Sequence, residues 1–340
     1  KRKQEGYAVE KEAVSEQELQ QQQYKQVSYG FEYSKNKSAV QRAQRSPSVN
    51  QQVQMDEAVD YFKANSPESF ECQYFIYVAG NYDVSLVNHL DKAEKLKPNN
   101  ADVHVQKAAY NMIKENKSEA IRYVEKLKES DRLTDNVIHY AEDILLSAPE
   151  NGTLITHGFD DSYATWYVQN KEHVREDVKL ISLDFMQSEY YKRKLSELGY
   201  DLPESAVVDV DFLKTFCEKN TDKNLSVSLT APKEYFKPLQ DNLYVTGLVF
   251  EYHSTDFNNF QRNDFLWNET LKKHLVNNAT NEKSKQLSAN YLPMLLQLRR
   301  VYEQTGEEGK LKEVDEMLDK ISVQSKKYEQ VQQLKSATYK

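Results

Sequence analysis

The sequence predicts an α + α/β fold, with helical pairs flanking a small, mostly parallel β-sheet. Three observations predict it. Apolar residues recur at helical spacing from about Val53 to Ser147, and again beyond Asn290. Between those stretches, short β-rich runs alternate with helical ones. Glycine is scarce, 9 in 340 residues, which argues against a barrel, a sandwich or a Gly-rich phosphate-binding loop.

Composition narrows the class further. A hydrophobic fraction of 39% beside 29% charged residues fits an elongated, helix-rich molecule with much surface for its core. The 23 tyrosines, many beside charges, suit helix seams that keep a hydroxyl wet. A net charge of −8 without any basic cluster excludes nucleic acid as the main partner. Cys72 and Cys217 stand far apart, so two buried thiols are expected. No apolar run reaches the roughly 18–20 residues of a membrane span. The chain opens on Lys1, so an N-terminal segment is expected to have been removed, with any targeting signal or lipid anchor out of view.

Residues 1–50 read as a low-complexity, partner-binding arm. They include the run "EQELQQQQYKQ" and hold one leucine and no isoleucine, so the arm is expected to be disordered until a partner orders it. Residues 51–149 read as helical repeats. Val105, Ala108, Ala109 and Met112 fall on one helical face, as do Val137, Ala141 and Ile144 in a helix that Pro149 ends. The stretch from Gly80 to Ser130 resembles tetratricopeptide repeats, in which a helix pair of about 34 residues recurs. Gly80, Asn81, Tyr82 and Asp83 occupy the turn, Ala93 the small packing position and Pro98 the repeat end. The second unit, around Glu119, Ala120 and Ile121, is degenerate. The resemblance implies stacked pairs that present a concave surface to other proteins.

Residues 150–255 read as a small, Rossmann-like α/β domain. "GTLITHG" and "VKLISLDF" are strands around the helix "SYATWYVQNKEHV". Two helices come next, then a third strand "LSVSLTA" and a longer one, "NLYVTGLVFEYHS", expected at an antiparallel edge. Residues 256–325 read as a helical hairpin repeat, with Leu295, Leu298 and Tyr302 facing Leu311, Val314, Leu318 and Ile321 across a "TGEEG" turn. A charged tail, residues 326–340, ends the chain.

The turn "HGFDDSY" is the leading site candidate, because ligands of βαβ units gather outside the strand ends, near helix N-termini. Asp160 and Asp161, with His157 nearby, have the chemistry to bind a cation or act as a base. An Asp-Asp-Ser run is also what caps a helix starting at Ser162, and that reading weighs more. Asp184 ends the second strand beside the same crevice and is expected to cap the next helix. Trp166 suits stacking on a sugar ring or, more commonly, core packing. Arg175 beside Asp177 suits an anion or, more commonly, a surface pair. No G-x-S-x-G, P-loop, G-x-G-x-x-G or H-E-x-x-H occurs, and the 7 histidines are scattered. No catalytic residue, metal or cofactor is therefore expected.

The segment "NGTLITHGFDDSYATWYVQNKEHVREDVKLISLDFMQSEYYKRKL" resembles part of a Bacteroidota family of membrane proteins of unknown function, related to protein O-mannosyltransferases. The matching positions are Gly158, Asp160, Asp161, Ser162, Trp166, Tyr167, Arg175, Asp177 and Val178. The likeness continues through "DNLYVTGLVFEYHS" into "LPMLLQLRRVYEQTGEEGKLKEVDEMLDKI". The family's membrane helices are absent here, and Phe159 replaces its first turn acid. The resemblance implies a relative of the family's extracytoplasmic C-terminal region rather than the sugar transferase. The expected function is a non-enzymatic scaffold or accessory subunit of a bacterial envelope complex, periplasmic or outer-membrane-associated, such as secretion or gliding machinery. Its partners would be other proteins of that complex, held by the repeats and the arm. The alternative is a carbohydrate-binding or glycosylation accessory. A hydrolase using Asp160 and Asp161 with a metal is the weakest reading.

Overall fold

The computed structural model describes residues 16–40 and 44–336. Seven helices come first: α1 (Glu16–Val40), α2 (Val49–Asn65), α3 (Phe70–Ala79), α4 (Val87–Leu96), α5 (Ala101–Ile113), α6 (Lys117–Glu129) and α7 (Asp135–Ser147). Several begin where a polar side chain satisfies free backbone N–H groups. Ser48 and Gln51 form a reciprocal capping box on α2, while Ser69 and Asn100 cap α3 and α5. Neighbouring helices pack as pairs, α3 with α4 and α5 with α6.

The α/β part runs β1 (Thr153–Thr156), α8 (Gly158–Lys171), β2 (Lys179–Ser182), α9 (Glu189–Glu197), α10 (Val210–Lys219), β3 (Leu225–Ser228), α11 (Lys233–Phe236), β4 (Leu243–Thr246) and β5 (Val249–Tyr252). Strand order is β2-β1-β3-β5-β4. β1 pairs in parallel with β2 and β3, with Leu154 opposite Leu180 and Ser226. β5 lies antiparallel to both β3 and β4. The chain ends in α12 (Phe260–Phe265), α13 (His274–Asn278), α14 (Glu282–Ser288), α15 (Leu292–Thr305), α16 (Glu308–Gln324) and α17 (Tyr328–Ser336).

Strand alternation splits the sheet between two cores. Ile155, Ile181 and Val227 face Phe212, Phe216 and Tyr235 on one side. Leu154 faces the other side, where one continuous cluster runs from Ala108 through Leu145, Tyr163 and Leu248 to Leu298 and Leu318. The α5–α6 pair, the sheet and the terminal hairpin therefore share apolar packing, as the closeness of Leu145 to the first strand implies, while α1 to α4 gather around a separate cluster that includes Phe62 and Tyr77. Cys72 and Cys217 are both free and buried. Among the described residues, no helix is long and apolar enough to cross a membrane.

Three expectations need correction. The arm is not featureless: α1 packs on α2, and Phe31 is fully buried, stacked on Phe75 at 3.8 Å between ring centres. Counting leucine and isoleucine missed the apolar stripe of Tyr24, Val27 and Phe31, two of them aromatic, which share a helix face and join one core. The rest of the arm, residues 1–15 and 41–43, lies outside the described residues. The tail is not merely charged either. α17 buries Val331 and pairs Lys335 with Asp315 at 2.6 Å; residues 337–340 lie outside the description.

The third correction concerns the long fourth strand, which folds into a hairpin. Gly247 has φ +56° and opens the two-residue turn between Thr246 and Val249, as the first position of a type II′ turn requires. A Cβ there would also run into the Ser147 side chain at the end of α7. Gly247→Ala should therefore lower stability by about 2 kcal/mol or more, read as a shift of the urea midpoint.

Candidate functional site

The three parallel strands each end on a hydroxyl: Thr156, Ser182 and Ser228. Around these ends the structure gathers most of the residues singled out by the sequence, in two separate places. The first is the crevice at the start of α8. This helix begins at Gly158, four residues before the expected Ser162, with the His157 backbone at its N-cap. Asp160 and Asp161 thus sit inside the first turn, where acids suit the helix dipole. Neither caps in the expected manner. Asp161 instead reaches back, and its Oδ2 accepts from the His157 N–H at 2.9 Å.

The two carboxylates point apart. Asp160 pairs with Lys283 of α14 at 2.6 Å. Asp161 is buried, with Oδ1 accepting from Ser228 Oγ at 3.1 Å. Burial pushes its carboxyl up to about 7, against the opposing pull of the His157 N–H and the nearby hydroxyls. A carboxyl raised in the folded state stabilises the fold fully below about pH 4, and that contribution is lost as pH rises through 7. His157 has the opposite sign, because burial and Arg45 depress its imidazole to about 4. Both effects coexist in the native protein, so the difference from Asp161→Asn isolates the first. Native minus variant stability should fall by up to about 4 kcal/mol between pH 4 and pH 7, measured by urea unfolding.

Asp184 does not cap the short helical turn that follows it; its side chain serves the start of α8 instead. Its Oδ2 accepts from the Gly158 N–H at 2.6 Å, and its Oδ1 receives Arg45 Nε and Nη2, both at 2.9 Å. Arg45 Nη1 also meets His157 Nε2 at 2.8 Å. Burial alone would raise the Asp184 carboxyl, but Arg45, His157 and the Gly158 N–H outweigh it and hold it below its ordinary value. Arg45 lies 139 residues from Asp184, in a segment whose composition carries no hint of a site. No local signal could have found it.

The second place is a cleft of about 500 Å³ between the α5–α6 turn and the α8–β2 face. Trp166 lines it, half-buried, with Met112, Glu115, Asn170, Lys179 and Tyr191. Its inner wall carries a chain of hydroxyls, Thr156 Oγ1 to Ser162 Oγ at 2.9 Å and on to Ser182 Oγ at 3.0 Å. Two aromatic residues beside hydroxyls and an amide can hold a polyol, the rings on its C–H faces and the polar groups on its oxygens. The strand-end hydroxyls were visible in the sequence as "LIT", "LIS" and "SVS", but only the sheet aligns them.

Arg175 belongs to neither place. Its guanidinium donates to the Ala148 and Pro149 carbonyls at 2.9 and 3.0 Å, and grips Asp177 at 2.8 and 2.9 Å. It thus closes the C-terminal end of α7, where free carbonyls attract a cation. An anion-binding role is overturned, since these groups already occupy its donors.

Residues 137–335, more than half of the chain, match the family model described as TMEM260-associated domain 2. No curated protein and no solved structure matches the chain.

Proposed function

This chain belongs to the TMEM260-associated domain 2 family, and from that premise we propose that it is a non-enzymatic, saccharide-recognising accessory of a bacterial envelope assembly related to glycosylation. The Trp166 cleft carries this reading. It offers an aromatic wall, a hydroxyl chain and room for one or two sugar rings on a scaffold packed from both sides. The likeness of "NGTLITHGFDDSYATWYVQNKEHV" to proteins related to O-mannosyltransferases supports a mannoside as the first ligand to try. A binding role fits better than catalysis because the strand-end acids are engaged with one another's neighbours. Asp184 is held by Arg45, and Asp161 by the His157 N–H and Ser228.

The test is titration of the native protein with a methyl α-mannoside and short manno-oligosaccharides, following tryptophan emission. Trp267 is buried away from solvent, so a saturable change should come from Trp166 and vanish in Trp166→Ala. A stacking loss of this kind weakens binding roughly tenfold or more. An unchanged spectrum up to high millimolar sugar would remove the reading.

A second reading is favoured by the packed helix pairs, α3 with α4 and α5 with α6. In that reading the chain is a scaffold gripping other proteins of a periplasmic or outer-membrane-associated complex, such as secretion or gliding machinery, through the repeat face. Crosslinking in native envelope, with partners retained by the Trp166→Ala variant, would support this reading over the first.

A further inference from the structure

The crevice outside the ends of β1 and β2 already holds a ligand, and the ligand is the chain itself. Gln44 forms an antiparallel bridge with Asp209. The Arg45 N–H donates to the Val208 carbonyl at 2.7 Å, and the Val208 N–H donates back to Ser46 Oγ at 2.9 Å. From this bent segment, paired with the loop that leads into α10 rather than with a strand of the sheet, the Arg45 side chain drops into the crevice, where Asp184 and His157 receive it. A few backbone hydrogen bonds together with one side chain in a charged pocket are a common way to read a peptide.

What holds the segment is polar complementarity more than apolar burial. The anchor is a charged pair, with the Arg45 side chain 10% exposed and that of Asp184 13%, while Pro47 is only partly buried. The pocket also has capacity that Arg45 does not use. The Tyr235 hydroxyl is fully buried, feels the charges of both Arg45 and Asp184, and has no hydrogen-bond partner among the described residues. A cavity of about 160 Å³ is lined by Arg45, Pro47, Tyr82 and Asp184, and a second of about 190 Å³, without Arg45 in its wall, by His157, Gly158, Asp161 and Thr230.

We propose that this crevice is an arginine-reading peptide site, filled in cis by Gln44–Arg45–Ser46–Pro47, and that an arginine-bearing segment of a partner protein displaces it. A guanidinium fits the acceptors better than an ammonium, because its planar fork meets Asp184 and His157 together. The tethered segment competes at a high effective concentration, so the site is closed to weak ligands and opens to one that matches both the backbone hydrogen bonds and the pocket. This site is distinct from the Trp166 cleft and stands or falls separately from saccharide binding.

The experiment uses the full chain and a labelled hexapeptide, Ala-Gln-Arg-Ser-Pro-Ser, followed by fluorescence polarisation at fixed salt. Arg45→Ala should bind the peptide saturably, and the native chain at least about tenfold more weakly. A peptide with Gln in place of Arg should bind neither, and Asp184→Asn added to Arg45→Ala should abolish binding. Equal affinity of the native chain and Arg45→Ala would overturn the proposal, as would equal binding of the Gln peptide or no binding to a folded Arg45→Ala. Should Arg45→Ala not fold, amide exchange of the native chain decides. Millimolar Arg peptide should speed exchange at Arg45 and the Gln peptide should not, whereas no acceleration refutes displacement.

Discussion

Leu145→Asp should abolish the cooperative unfolding transition of the whole chain. Leu145 is fully buried in the cluster that joins the α5–α6 pair, the sheet and the terminal hairpin. Its helix α7 packs directly on α8. The substitution removes an isobutyl group and places a carboxylate in an apolar seam, where Arg175, which reaches the Leu145 carbonyl, is already engaged by Asp177 and the Ala148 and Pro149 carbonyls. Lost packing and desolvation together cost about 4 kcal/mol or more, a large share of a typical domain's net stability. Far-UV circular dichroism and tryptophan emission should lose their transitions together. Leu198→Asp is the control: Leu198 is 54% exposed, so the same chemical change there should stay within roughly 0.5 kcal/mol of native. Melting of helical signal with the tryptophan transition unmoved would show that the parts fold independently.

Asp184→Ala should cost about 3–5 kcal/mol in urea unfolding, because it strands a buried guanidinium and leaves the Gly158 N–H without its acceptor. The cause is the partner left behind more than the pair itself. Asp184→Leu combined with Arg45→Met should therefore recover much of the loss, and the double variant should be more stable than Asp184→Ala alone. The pH sign comes from the depressed carboxyl. Its contribution is present above the ordinary carboxylate range and is lost as pH falls through the lowered folded value. Native and Asp184→Ala stabilities should thus converge in acid. A gap that stays constant down to low pH would place the effect in packing rather than in charge.

The paired acids of the strand-end turn divide between different roles. Asp160 is a half-buried partner for Lys283 and Asp161 a buried clasp between α8 and β3, so neither completes an oxygen cluster. Sequence spacing made them look alike because adjacent residues share a turn. On a helix they point about 100° apart, which is enough to send one to solvent and the other to the sheet.

Much was legible in the residues alone. A period of 3.6 marked the helices, since burying one face imposes that spacing, and short β-rich runs between helical ones marked the three parallel strands, two of which are buried on both faces. The family match over residues 137–335 falls on the same part of the chain as the resemblance read from motif order. What the tertiary structure decided is everything that depends on distant chain segments meeting. Gly247 became a hairpin turn because Ser147 leaves no room for a side chain. Phe31 ordered an arm poor in aliphatics because Phe75 offered a stacking face. Arg45 entered the crevice across 139 residues, a pairing that local propensity cannot encode, because its free energy exists only once the sheet has brought Asp184 beside the start of α8.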